Sequence, residues 1–199
     1  MVRAFFDRYG VLGSIRLFVD KMTSGILFPN ARIVRRPFYI RGKRHIRFGK
    51  GFTSGFALRL DAFPLENKTC IEFGENVQVN DYVHICGIDS VRIGNNVLIA
   101  SKVFITDHNH GSYGQNGRHD SPLIPPAQRP LSSAKVEIED NVWLGEFVVI
   151  LPGVKIGKGS IIGSMSVVTK NIPPYSIAVG SPAKIVKTFD FTVNQWIKT

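Results

Sequence analysis

The C-terminal half of this chain is ruled at six-residue intervals. Ile138, Leu144, Ile150, Ile156, Ile162 and Val168 occupy every sixth position, and Val136, Val142, Val148, Val154, Ser160 and Ser166 keep the same period two residues earlier. Gly145, Gly157 and Gly163 directly follow three of the aliphatic positions. A period of six fits neither an α-helix nor the plain alternation of a flat strand. It fits a solenoid whose coils are three short strands joined by turns, roughly 18 residues per coil. The aliphatic residue points into a narrow prism, the small or β-branched residue sits at a corner, and Gly or Asn frees the turn. One coil cannot bury its own core, so the repeat must continue. Phe73, Val79 and Ile85 hold the period with Val77 and Val83, and after a two-residue slip at Cys86–Ser90 it resumes at Ile93, Ile99 and Ile105 with Val91, Val97 and Val103. A looser version runs through Phe48, Ser54 and Leu60. A β-sandwich, with its variable turns, would not hold one phase over six consecutive units. The expected fold class is an all-β solenoid.

The 199 residues suffice for one domain with an N-terminal appendage. No apolar run reaches the roughly 18 residues that span a bilayer, and no signal-peptide pattern opens the chain, so the expected location is the cytoplasm. Cys70 and Cys86 are then expected as free thiols. The formal charge of +10 is unevenly placed. Residues 1–50 hold twelve Lys/Arg against Asp7 and Asp20, while residues 51–199 hold thirteen of each sign. In that basic stretch Val11, Leu12, Ile15, Phe18, Val19, Met22 and Ile26 recur at helical spacing, flanked by Arg3, Arg8, Arg16 and Lys21. Such a helix either lies on an anionic membrane surface or packs its stripe on the first coil as a cap, and the two readings are compatible. The basic stretch carries no recognised nucleic-acid motif, so nucleic acid is not an expected partner.

Between Ile105 and Val136 the hexads stop. The intervening 106–135 stretch is polar, rich in Gly and Pro, and holds three of the five histidines. A long loop on a rigid scaffold is usually functional. Its root, Asp107-His108-Asn109-His110, offers imidazoles that act as bases near neutral pH beside a carboxylate that can orient them. A catalytic zinc site of the solenoid carbonic-anhydrase type would need a second histidine where Gln115 stands, so no metal is expected. There is no G-x-S-x-G, P-loop or dinucleotide fingerprint, and both cysteines lie in repeat segments.

From about Cys70 to Lys187, through IGNNVLIASKVFITDHNH, IEDNVWLGEFVVILPGVKIGKGSIIGSMSVVTKNIPP and AVGSPAKIVK, the chain resembles the hexapeptide-repeat acyltransferases of the galactoside, maltose and xenobiotic acetyltransferase group. FGKGFTSGFALRLDAF and VNDYVHI look most like the lipopolysaccharide O-antigen acetyltransferases. The resemblance implies a left-handed parallel β-helix with an N-terminal helical segment and an extended loop at 106–135. It also implies a homotrimer and acetyl-CoA as co-substrate. Hexad-to-hexad alignment places His110 on the family's catalytic histidine, with His108 two residues off that register as the reserve. Asn80 falls on the asparagine that reaches the acceptor and the thioester, and Trp143 on the tryptophan beside the acyl site. Ser164, Thr169 and Lys170 match positions lining the coenzyme A groove. Lys184 and Lys187 match basic residues near its phosphates, where the sugar acetyltransferases have Arg. Glu146 departs from the small polar residue expected beside coenzyme A.

The expected organisation is a basic amphipathic segment at 1–30, the β-helix domain at 31–187 and a tail at 188–199. The expected activity is O-acetylation of a sugar or glycan acceptor, soluble or lipid-linked, by direct attack with His110 as general base. An acetyltransferase for a soluble acceptor, a free sugar or an antibiotic, or a non-catalytic scaffold for glycan assembly at the membrane stands as the alternative.

Overall fold

The computed structural model describes residues 2–114 and 117–199, with side chains from residue 6 onward; Gln115 lies outside the described residues. The chain winds into a left-handed parallel β-helix of triangular section, preceded by one helix, α1 (Val2–Leu27). Face 1 stacks Ala31–Val34, Phe52–Ser54, Gln78–Val79, Leu98–Ile99, Trp143–Leu144, Ile161–Ile162 and Ser176–Val179. Face 2 stacks Phe38–Arg41, Leu58–Ala62, His84–Gly87, Phe104–Thr106, Val149–Ile150 and Val167–Val168. Face 3 stacks Ile46–Arg47, Ile71–Phe73, Val91–Ile93, Val136–Ile138 and Lys155–Ile156. After face 1 ends, Lys184–Asp190 and Gln195–Lys198 fold back antiparallel and widen it.

The ruler is the core. All twelve hexad residues from Val136 to Val168 are no more than 1% exposed. Each buried aliphatic side chain contributes about 1.5–3 kcal/mol by leaving water. The last two corner positions are serines because the chain is about to leave the prism. Ser160 Oγ donates to the Pro173 carbonyl at 2.8 Å, and Ser166 Oγ accepts the Gly180 N–H at 2.9 Å. Hydroxyls there bind backbone that a further coil would otherwise have satisfied. At the corner between faces 3 and 1, Asn76, Asn96 and Asn141 all adopt the left-handed conformation, with φ of 55°, 56° and 59°. Asn tolerates that region better than other residues with a Cβ. The corner between faces 1 and 2 uses Ala57, Tyr82, Lys102, Phe147 and Met165 at φ of 56–61°. Strain of this kind persists where the surroundings enforce it.

The outer faces differ in chemistry. On face 3, Arg47, Glu72, Arg92, Glu137 and Lys155 are successive register partners, a ladder of alternating charge suited to water. On face 1 the equivalent row runs Gln78, Leu98, Trp143, Ile161, Ile177. On face 2 it runs Tyr39, Arg59, His84, Phe104, Val149, Val167. Aliphatic and aromatic side chains thus point outward from faces 1 and 2.

Helix α1, kinked at Gly10, lies on the first strand of face 1 through its polar side. Asp20 pairs with Arg36 Nε at 2.8 Å, Ser24 Oγ accepts the Val34 N–H at 2.7 Å, and Lys21 Nζ reaches the Arg32 carbonyl at 2.6 Å. Ser14, Asp20 and Ser24 are buried, while all seven residues of the apolar stripe are exposed. The helix does cover the end of the solenoid, but the stripe faces away from it. No helix among the described residues is long and apolar enough to cross a membrane.

Candidate active site

The two-residue slip at Cys86–Ser90 builds an anchor for the loop one coil above. The backbone N–H groups of Ile88, Asp89 and Ser90 converge on the carboxylate of Asp107 at 2.8–3.1 Å. Asp107 is fully buried. Burial alone would raise its pKa, but the hydrogen bonds from His108 and the three amides outweigh it and hold the carboxyl below its ordinary range. His108 Nδ1 lies 2.9 Å from Asp107 Oδ1. An ionised carboxylate can only accept, so Nδ1 carries the proton and Nε2 is left as the basic nitrogen. Thr106 Oγ1 sits 3.3 Å from the same Nδ1.

From this anchor the 106–135 stretch rises as a hairpin. His108–His110 pairs antiparallel with Leu131–Ser133, and the Ala134 N–H returns to the Asp107 carbonyl at 2.8 Å. Alternation along a strand puts His108 and His110 on one side of it. The His110 ring is exposed and has no hydrogen-bond partner among the described residues. Its carbonyl accepts the Tyr113 hydroxyl at 2.5 Å, and Arg129 Nη1 donates to the Tyr113 oxygen at 2.7 Å. The Asp120 carboxylate caps the Ser112 N–H at 2.7 Å. The loop therefore carries its own scaffold, which the sequence pattern did not reveal.

The other expected residues fall in three groups. Asn80 and Ser164 are exposed at the corner between faces 1 and 2, Asn80 directly after its face 1 strand and Ser164 two residues past the end of its own. Glu146 is exposed at the same corner. Trp143, 48% exposed, points out from face 1. The row it occupies continues through Ile161 and Ile177 to Lys187, so Trp143 and Lys187 share one line on one face. Lys184 lies beside Val179 at the edge of that face. Thr169 and Lys170 are exposed where the last face 2 strand ends. Within one chain, the histidines leave the end of face 2 while Asn80 sits at its beginning. The single chain does not bring them together.

The sequence reading passed over a further cluster on the outside of face 2, formed by Arg41, Arg59, Asp61, His84 and Cys86. Its members are up to 45 residues apart, and only coil stacking makes them neighbours. Cys70 and Cys86 are both free. Burial pushes each thiol up to about 11, so neither is poised as a thiolate nucleophile.

The bacterial transferase hexapeptide (six repeats) profile matches residues 135–170. The chain is 50% identical over 198 residues to the putative lipopolysaccharide biosynthesis O-acetyl transferase WbbJ of Escherichia coli strain K12, covering 100% of both proteins. A galactoside acetyltransferase solved in complex with coenzyme A superimposes with a TM-score of 0.51 at 28% identity, covering 85% of this chain and 68% of that one. AntD, an N-acyltransferase from Bacillus cereus, superimposes with a TM-score of 0.61 at 20% identity, covering 82% and 83%, and bears on the fold alone. With the hexad core, the histidine-bearing loop and a full-length relative in agreement, the chain belongs to the hexapeptide-repeat acyltransferases and is an acetyl-CoA-dependent acetyltransferase closely related to the WbbJ-like O-acetyl transferases.

Proposed function

We propose that the protein acetylates a sugar hydroxyl of a lipid-linked or nascent surface polysaccharide, such as lipopolysaccharide O-antigen, working as a homotrimer at the anionic inner face of the membrane. The observation that carries the reading is the likeness to the E. coli relative, which runs the whole length of both chains. In the proposed step, His110 takes the proton of the acceptor hydroxyl as its oxygen attacks the thioester carbonyl. The carbon–sulfur bond breaks, coenzyme A leaves as the thiol once the proton is returned to sulfur, and the acetyl ester remains on the sugar. The exposed, unpartnered ring of His110 is free to meet an acceptor, while the Asp107–His108 pair anchors the strand that carries it. His108 stands as the reserve base.

The trimer accounts for two observations. The outward apolar side chains of face 1 and of the later coils of face 2 (Phe104, Val149 and Val167) are the kind a neighbouring copy would cover, whereas the charged ladder of face 3 and the Arg41–Arg59 end of face 2 are the kind that stay in water. A neighbouring copy would also bring an Asn80 toward the histidine loop. Coenzyme A would then lie along face 1, with Trp143 and Ser164 toward its acyl end and Lys184 and Lys187 toward its phosphates. Thr169 and Lys170 are assigned to the same groove. The outward apolar stripe of α1, with Arg8 exposed near its start, supports docking on anionic lipid. The test is transfer of labelled acetyl from acetyl-CoA to lipid-linked glycan extracted from the source cells, with the product's site read by mass spectrometry. A glycan pool that gains no label from active, folded protein would overturn the acceptor assignment.

A further inference from the structure

The cluster on face 2 has no part in the acyl transfer just described, yet it is built with care. Asp61 is 3% exposed and is shared by two guanidiniums. Arg41 Nε donates to Oδ1 at 2.6 Å, and Arg59 Nε donates to Oδ2 at 2.8 Å. His84 Nε2 lies 3.0 Å from the same Oδ2. Aromatic rings hold the arginines in place: the Arg41 guanidinium sits 4.8 Å from the Phe63 ring centre, and the Arg59 guanidinium 5.9 Å from that of Tyr39.

Two features separate this from an ordinary ion pair. Both arginines spend only Nε on the carboxylate, so their Nη groups have no hydrogen-bond partner among the described residues. Their side chains remain 42% and 48% exposed. One buried carboxylate therefore fixes two guanidiniums whose remaining donors face solvent, with positive charge left over. Burial lowers the His84 pKa, so its imidazole is neutral at pH 7 and does not add to that charge. Fixed guanidinium forks are matched to phosphoryl oxygens, and holding them in advance removes the ordering cost that a free surface arginine would incur on binding. A divalent metal fits less well. Asp61, His84 and Cys86 do bring ligand atoms within 4.8 Å of one another, but an ion there would meet two guanidiniums and a thiol held protonated.

Position links the cluster to the proposed chemistry. Arg41, Asp61, Cys86 and Thr106 are successive register partners. Thr106 leads directly into the Asp107–His110 root. Three strand spacings, roughly 14 Å, separate Arg41 from Thr106 along the face. A glycan with its charged end at the arginines would therefore run along face 2 toward the root of the loop that carries His110.

We propose that Arg41 and Arg59, with Asp61 as their positioning residue, form a subsite for the phosphate or diphosphate at the reducing end of the glycan acceptor. The assignment rests on the acetyltransferase reading above for its place in the reaction, but it is tested by binding alone. The probe is inorganic pyrophosphate, titrated calorimetrically into the full-length protein with desulfo-coenzyme A saturating the donor groove, so that donor phosphate sites do not report. Wild type should bind, and Arg59→Gln should weaken binding roughly tenfold or more. The Arg41→Gln/Arg59→Gln double variant should abolish it. Asp61→Asn should weaken binding although both cations remain, an effect that charge alone would not give. Thermal melts confirm that each variant is folded; the half-exposed arginine variants decide the matter if Asp61→Asn is not. A parallel arm measures sedimentation with phosphatidylglycerol vesicles. No pyrophosphate binding by wild type, undiminished binding by the double variant, or a loss seen only with vesicles would each overturn the subsite. Pyrophosphate binding that depends on both arginines, in a protein that transfers no acetyl group, would instead locate the failure in the proposed reaction.

Discussion

His108 Nδ1 is held at 2.9 Å by Asp107, and Asp107 is itself held by the backbone amides of three residues from the coil below. The imidazole is thus fixed to the prism through a buried carboxylate, whereas His110, two residues on, has no such tether. The two rings share a side of one strand but differ in freedom, and that difference can be measured.

His110→Ala should lower acetyl transfer by roughly 10²- to 10⁴-fold, the range for loss of a general base. Affinity for acetyl-CoA should hold, because the ring acts on the acceptor. His108→Ala should be milder. Steady-state kinetics on both variants decide which imidazole takes the proton; full turnover in His110→Ala would move the role to His108.

Asp107→Ala should destabilise the fold by about 3 kcal/mol or more, because three amides lose a charged acceptor in a buried site. Urea denaturation reads the loss directly. The carboxyl also sets a pH dependence. Its folded pKa lies below the ordinary 3.8, so its contribution is complete above that value and disappears as pH falls through the folded pKa. Wild-type stability should drop below about pH 4, and an Asp107→Asn variant should show a shallower drop.

Lys184→Ala and Lys187→Ala should raise the KM for acetyl-CoA with little change in turnover at saturation, since the contacts are made equally in ground and transition states. The rise should be larger at low ionic strength than at high, because exposed charge–phosphate attraction is screened. A defect confined to kcat would remove these lysines from the donor groove.

Gly157→Ala should cost about 1–3 kcal/mol. A Cβ at Gly157 would come within 2.3 Å of the Pro174 nitrogen, a backbone atom that cannot step aside. A thermal melt of the variant checks the drop, with solvent-facing Gly25, whose added Cβ would meet nothing within 4 Å, as the control.

Replacing Leu12, Ile15 and Ile26 by Ser should abolish sedimentation with anionic vesicles and leave the thermal transition nearly unchanged. These side chains are 83%, 56% and 81% exposed, so the fold loses little by their removal. A large fall in melting temperature would instead mean that another copy of the chain covers them.

The hexads made the prism legible because a six-residue phase reports directly which side chains face inward, and Ile138 through Val168 do. Periodicity located the apolar stripe of α1 equally well, but it cannot say what the stripe faces. The polar side of the helix wins the solenoid because Asp20 and Ser24 satisfy Arg36 and the Val34 N–H there. The histidine root was visible in DHNH, whereas the nest that anchors it looked like a mere slip in register at Cys86–Ser90. The Arg41–Asp61–His84 cluster left no linear trace, since outward-facing residues are free of the core's periodic constraint. Arg41 reads in sequence as one more cation in a basic run.

The loop's point of departure has a consequence for how such enzymes diversify. The chain leaves the prism at Asp107 and re-enters beside it at Ala134, the two ends tied by the Ala134 N–H to the Asp107 carbonyl and by the short antiparallel ladder that follows. To the core, the whole excursion counts as one corner turn. Its length and contents can be rewritten without altering any inward-facing residue, so the part that would meet the glycan can drift toward new sugars while the scaffold stays under unchanged selection for packing.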